Sequence, residues 1–129
     1  ALLAPRSSLI VLEQPELHLH PKVQARLADF FIALAVDGKQ TLSETHSEYL
    51  IDRLRLRVAL SENDALLDSI NIMFSQKSQI GTDLTAIELS EYGSVIEWPE
   101  DFFDQSHNDV GKILKAASAK RKRKAHKNA

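Results

Sequence analysis

The sequence predicts an α/β chain with parallel strands and flanking helices, followed by an antiparallel β-hairpin region and a C-terminal helix with a basic tail. Three observations carry this. Short apolar or β-branched runs alternate with helical patterns through the first half, in the order strand, helix, strand, helix, and such an order favours parallel pairing through a crossover. The second half instead carries β-rich arms around a Tyr-Gly turn. The last residues are almost purely basic.

Each element has its own signal. Ser8 to Leu12 is a continuous apolar run containing Ile and Val, as in a strand buried on both faces. Pro21 suits a first helical position, and Val23, Leu27, Phe30, Phe31 and Leu34 then fall on one helical face. Gly38 is placed to end that helix. Lys39 to Thr45 is a second, weaker strand. In "THSE", Thr45 reads as an N-cap and Glu48 as its capping-box partner. The helix that follows carries Leu50, Ile51, Leu54 and Val58 on one side, although "RLRLRV" alternates with the period of a strand. Ser61 to Asp68 is an acidic loop with some helical turn, and Ser69 to Phe74 a strand. Leu84 to Trp98 reads as a hairpin turning at Tyr92-Gly93. "WPEDFFD", Trp98 to Asp104, cannot be regular strand. Val110 to about Ala119 reads as a helix, and "KRKRKAHKNA" as a disordered basic end.

The totals exclude several classes. The chain has 129 residues, 43% hydrophobic and 26% charged, as in an ordinary globular domain. It has no cysteine, hence neither a disulfide framework nor a thiolate zinc site. No apolar run reaches the roughly 20 residues of a membrane span, and no signal peptide is apparent; both agree with a cytoplasmic protein without a membrane partner. The start at Ala1, in what reads as the end of a helix, suggests a fragment whose N-terminal part is absent. The net charge of -2 conceals an asymmetry: residues 1–111 hold eight basic and all 18 acidic residues, whereas eight basic and no acidic residues follow from Lys112 onward.

The stretch "LIVLEQPELHLHP" holds the candidate chemistry. It runs from a hydrophobic strand into Glu13, Gln14, Glu16, His18 and His20. A metal site, a nucleotide site and an ordinary strand-to-helix connection all compete for it. In α/β sheets ligands gather beyond the carboxyl ends of parallel strands. Glu13 stands at one such end and His46 at the other. A carboxylate after an apolar strand can hold magnesium against nucleotide phosphates, and a histidine at a helix N-terminus can meet a terminal phosphate. His18 and His20 alternate, so in an extended loop they point to opposite sides, and no standard zinc spacing is present. Packing or capping explains them more simply than metal ligation.

"LIVLEQPELHLHP", followed about thirty residues later by "ETHSEYLI", resembles the C-terminal half of an ABC-type ATPase head. It is similar to the AAA-type bacterial ATPases grouped with overcoming-lysogenization-defect nucleases and with SMC-like repair ATPases. "GSVIEWPEDFFD" resembles the uncharacterised C-terminal domain of one such subfamily, with its WP-x-x-FFD ending. The resemblance implies a partial P-loop NTPase fold, with residues 1–60 as the C-terminal part of the head, 61–109 as a strand and hairpin extension, and 110–129 as helix and basic tail. It also implies ATP and Mg2+ as cofactors. Leu9 to Leu12 would be the Walker B strand, Glu13 the magnesium-associated acid, Gln14 the occupant of the catalytic-glutamate position, Pro15 to Pro21 the D-loop, and His46 the switch histidine at the γ-phosphate. Head dimerisation would control a partner effector such as a nuclease, or DNA, in a role such as phage defence.

The departures are as telling. Gln14 is an amide, which orients a water but accepts its proton poorly. Either Gln14 positions the water for slow turnover, or Glu16 supplies the carboxylate, or ATP is bound and seldom cleaved. The sequence holds no GxxxxGK[ST] and no serine-glycine signature loop, and its four glycines are scattered. The phosphate cradle is therefore expected outside this chain, which alone would not bind ATP tightly.

Blander readings compete. Glu13 and Glu16 suit a solvated loop, His46 a helix start, and Arg53, Arg55 and Arg57 a solvated helix face. Phe102 and Phe103 suit a hydrophobic plug better than a base-stacking platform. Lys120, Arg121, Lys122, Arg123 and Lys124 suit either a solubilising end or salt-dependent contact with DNA phosphates, with no interleaved aromatics for base readout. The alternative function is a non-catalytic nucleic-acid or protein binding module acting through that tail.

Overall fold

The computed structural model describes residues 2–99, 102–103 and 105–127, without the side chains of 105–108 and 122–127. The chain divides into two compact units, residues 1–97 and 98–129. The first is mixed α/β, with a parallel two-stranded sheet and an antiparallel one.

Strand β1 (Leu9–Glu13) pairs in parallel with β2 (Gln40–Glu44), in a register that sets Val11 beside Leu42 and Glu13 beside Glu44. Helix α1 (Pro21–Val36) lies between them in sequence, and α2 (Glu48–Ala59) follows β2. Both strands alternate in exposure rather than being buried on both faces. Ile10, Leu12, Thr41 and Ser43 are half-buried, whereas Leu9, Val11 and Leu42 are each more than half exposed. A two-strand sheet covered on one side needs only that one apolar face, so the expectation of double burial fails here.

Helix α1 starts at Pro21, whose fixed φ and missing N–H suit the first position. It stops in a Schellman motif. Gly38, at φ +75°, donates to the Ala35 carbonyl, and Lys39 N–H reaches back to Leu34 O. The core lies between the two helices. Ala28 and Leu34 of α1, and Leu50, Ile51 and Val58 of α2, are buried. Val23, assigned to this face by its spacing, is instead 43% exposed. The 3.6-residue pattern of α2 overrides the alternation in "RLRLRV" because Leu50, Ile51 and Val58 bury as one stripe. Its arginines are not merely solvated. Arg53 grips Asp29 of α1 through two nitrogens at 2.9–3.2 Å, and Arg57 adds a bond of its own at 2.6 Å. The Arg53 guanidinium, aided by Arg57 and opposed by burial, holds the Asp29 carboxyl below its ordinary range.

A short helix, α3 (Ala65–Asp68), precedes the antiparallel pair β3 (Ile72–Lys77) and β4 (Thr82–Ile87). The hairpin therefore closes at Ser78–Gly81, where Ser78 N–H bonds Gly81 O at 2.8 Å, and not at Tyr92-Gly93. The Tyr92-Gly93 turn exists, but its arms meet in a single bridge, Leu89 to Val95. What holds it is docking on α2. Arg55 Nε donates to Gly93 O at 2.9 Å, and a Cβ on Gly93, at φ +73°, would strike the Arg55 carbonyl oxygen. Glycine is required there on both counts.

The second unit holds α4 (Gln105–Lys127). The helix begins before Val110 and carries the basic run with it, where a disordered end was expected. Alanine, lysine and arginine are among the best helix formers, so low complexity does not imply disorder here. Phe102 is buried, its ring 5.5 Å from that of Trp98 and 4.9 Å from that of Phe103. Residues 100, 101 and 104 of the "WPEDFFD" segment lie outside the described residues.

Candidate functional site

Parallel pairing puts the carboxyl ends of β1 and β2 at one edge, so the loops leaving them, residues 14–20 and 45–47, are neighbours. Glu13 and Glu44 are register partners, both exposed and on the same face of the sheet. Adjacent strands lie roughly 4.8 Å apart, so these carboxylates repel unless a positive group joins them. His46 Nε2 stands 4.0 Å from Glu44 Oε1, with the imidazole 74% exposed. Glu13 and His46 therefore share this edge by way of Glu44, a residue that the sequence did not single out.

The loop after β1 is folded and not extended. Leu17 N–H bonds Gln14 O and Leu19 N–H bonds Glu16 O, both at 3.0 Å. Gln14 at φ +42° and His18 at φ +64° occupy the left-handed region without being glycine. Such backbone costs on the order of 1 kcal/mol or more and persists only where surroundings enforce it. The Gln14 backbone N–H donates to the Glu44 carbonyl oxygen at 2.9 Å, which fixes the main chain of the half-buried Gln14 against the end of β2. His20 caps α1, accepting from Lys22 N–H through Nδ1 at 3.3 Å.

Glu16 is the buried member of the loop, 7% exposed. Its Oε1 accepts the backbone N–H of His46 at 2.6 Å. Its Oε2 is buried with no hydrogen-bond partner among the described residues. A second tie runs beside it. Gln24 Nε2 donates to Leu19 O at 2.9 Å, and Ser47 Oγ donates to Gln24 Oε1 at 2.7 Å. Ser47 also caps α2, its Oγ accepting from Leu50 N–H. The capping assignment thus moves from Thr45 to Ser47, while Thr45 Oγ1 accepts Ser47 N–H at 3.1 Å. The "THSE" pattern contained this signal, because serine caps as well as threonine does. Gln24 carried none, since its partners are remote in sequence.

The donor set suits a magnesium nucleotide in part. An exposed carboxylate pair would be relieved by a divalent cation, and the exposed His46 imidazole beside it can donate to an anion. Among the described residues no group of three or more His, Asp or Glu side chains is placed to hold a metal ion. Of the basic candidates, Lys120 and Arg121 are exposed on α4; the side chains of Lys122, Arg123 and Lys124 lie outside the described residues. No helix among the described residues is long and apolar enough to cross a membrane.

Neither a curated protein nor a solved structure matches the chain. Residues 68–113 match the family model of a protein of unknown function, DUF3696, a span that includes the Trp98–Phe103 segment. Residues 4–51 match the family model of an AAA ATPase domain, a span that covers β1, the loop after it, α1, β2 and His46. The AAA match supports an AAA-type ATPase relationship for residues 4–51, and the DUF3696 match likens residues 68–113 to a family whose function is unknown.

Proposed function

We propose that this chain is the C-terminal part of an ABC/SMC-like ATPase head, acting in ATP binding and hydrolysis. The observation that carries the proposal is the shared edge: an exposed carboxylate on the last residue of β1 and an exposed imidazole after β2, within the span that matches an AAA ATPase domain. In this reading Glu13 holds the magnesium ion and His46 donates to the γ-phosphate. Gln14, its backbone pinned to Glu44, orients the attacking water. Bound Mg2+ would supply charge neutralisation at the phosphates. An amide in the place of a carboxylate makes turnover slow and leaves it open to gating. The phosphate cradle comes from residues outside this sequence, the ATP is sandwiched between two head copies, and residues 61–109 form an extension that reports the nucleotide state to a partner.

Magnesium dependence is the test. The full-length protein hydrolyses ATP only with a divalent cation, and Glu13→Gln raises the magnesium needed for half-maximal turnover by roughly tenfold. An unchanged requirement in that variant removes Glu13 from the site.

A second reading rests on α4, a continuous helix that exposes Lys112, Lys115, Lys120 and Arg121. In this reading the helix contacts nucleic-acid phosphates without reading bases. Affinity for DNA would then fall steeply between low and physiological salt, and deletion of 120–127 would abolish it. A flat salt response counts against DNA.

A further inference from the structure

Glu16 is the one carboxylate at this edge that is buried, and its position is not that of a group waiting for a water. One oxygen is committed to the main chain of His46 across thirty residues of sequence, accepting its N–H at 2.6 Å. The other oxygen is sealed from solvent. Leu19, Gln24 and Ser47 make a parallel connection between the same two loops. Two strained residues, Gln14 and His18, flank the Glu16 anchor, so something must hold that backbone in place. The two ties also bracket the start of α2, since one ends on His46 and the other on its capping residue Ser47.

We propose that Glu16 is a positioning residue: with Gln24 it locks the loop after β1 to the His46 loop, so that the two move as one body. Glu16 accepts a hydrogen bond and does not take a proton from water. The imidazole of His46 keeps its place only while its own backbone N–H is held, and displacement of residues 14–20 shifts it directly. The kinetic part of this inference rests on the proposed ATPase reading; the lock itself does not.

The experiment separates the two. Amide hydrogen exchange at His46 is followed in the full chain for wild type, Glu16→Gln, Glu16→Ala and Gln24→Ala, and ATP turnover is followed in the full-length protein. A glutamine carbonyl still accepts from His46 N–H, whereas alanine cannot. Exchange at His46 should therefore rise roughly tenfold in Glu16→Ala and clearly less in Glu16→Gln, with a smaller rise in Gln24→Ala. Turnover at saturating ATP should follow the same order, with Glu16→Gln rescuing most of the loss and KM little changed. Exchange at His46 that is unmoved in Glu16→Ala overturns the lock. Protected exchange in Glu16→Gln with turnover as low as in Glu16→Ala makes Glu16 the base and overturns the positioning role. The expected exchange pattern in a protein that hydrolyses no ATP upholds the lock and sinks the ATPase reading alone.

Discussion

The loops after β1 and β2 and the hairpin β3–β4 lie in the same unit, yet they hold their shapes by opposite means. The hairpin is a backbone ladder of six pairs whose side chains are nearly all exposed apart from Ile72 and Ile87 at its base. The loops have little regular backbone pairing. They are fixed by Glu16, Gln24 and Ser47, and they carry backbone strain at Gln14 and His18. Strain held by buried polar bonds is characteristic of places where geometry matters more than stability. An exposed ladder has no such constraint and tolerates change.

Substitutions should sharpen that contrast. The largest effect is expected in the core between α1 and α2, where Leu34 is 2% exposed. Leu34→Ala should cost about 2–5 kcal/mol in urea unfolding, whereas Leu84→Ala on the hairpin, at 64% exposure, should stay within about 0.5 kcal/mol. Equal losses would break the comparison. Next comes Gly93→Ala, which forces a left-handed side chain against α2. It should cost about 1–3 kcal/mol and open the 90–95 turn to proteases. Removing the α2 cap is smaller: Ser47→Ala should lose about 1 kcal/mol. The smallest effect at neutral pH concerns acid. Native Asp29 binds its proton less readily than the unfolded chain does, so its contribution is complete above the unfolded value of about 4 and is lost as pH falls through the lower native value. Urea midpoints at about pH 7 and about pH 3 should therefore differ less in Asp29→Asn than in wild type. An identical difference would remove the Asp29–Arg53 clamp from the acid response.

Much of the first half was legible because its signals are local. An apolar run, Pro21 at a helix start, Gly38 at a helix end and a 3.6-residue stripe in α2 each declare themselves within a few residues. The parallel pairing followed from element order. Sequence reasoning went astray where partners are remote. The hairpin turn was misplaced because β3 and β4 are mostly exposed and turn polar toward Ser78–Gly81, so their pairing leaves little periodicity. Gly93 was read as a hairpin glycine, but its reason is the backbone of Arg55, 38 residues earlier. At the site, residue types named Glu13, Gln14 and His46, whereas the role of Gln24 and the direction in which the Glu16 carboxylate faces depend on bonds spanning two loops. The basic run of α4 was mistaken for a disordered end because composition was weighed above helix propensity.

The central claim is that His46 faces a bound triphosphate at the edge it shares with Glu13. Steady-state ATP hydrolysis by the full-length protein, wild type against His46→Ala at saturating magnesium, tests it most directly. Loss of a charge-assisted bond to the reacting phosphate should lower turnover by roughly tenfold or more while the fold, read by the urea midpoint, stays intact. Turnover equal to wild type in that folded variant would contradict the claim.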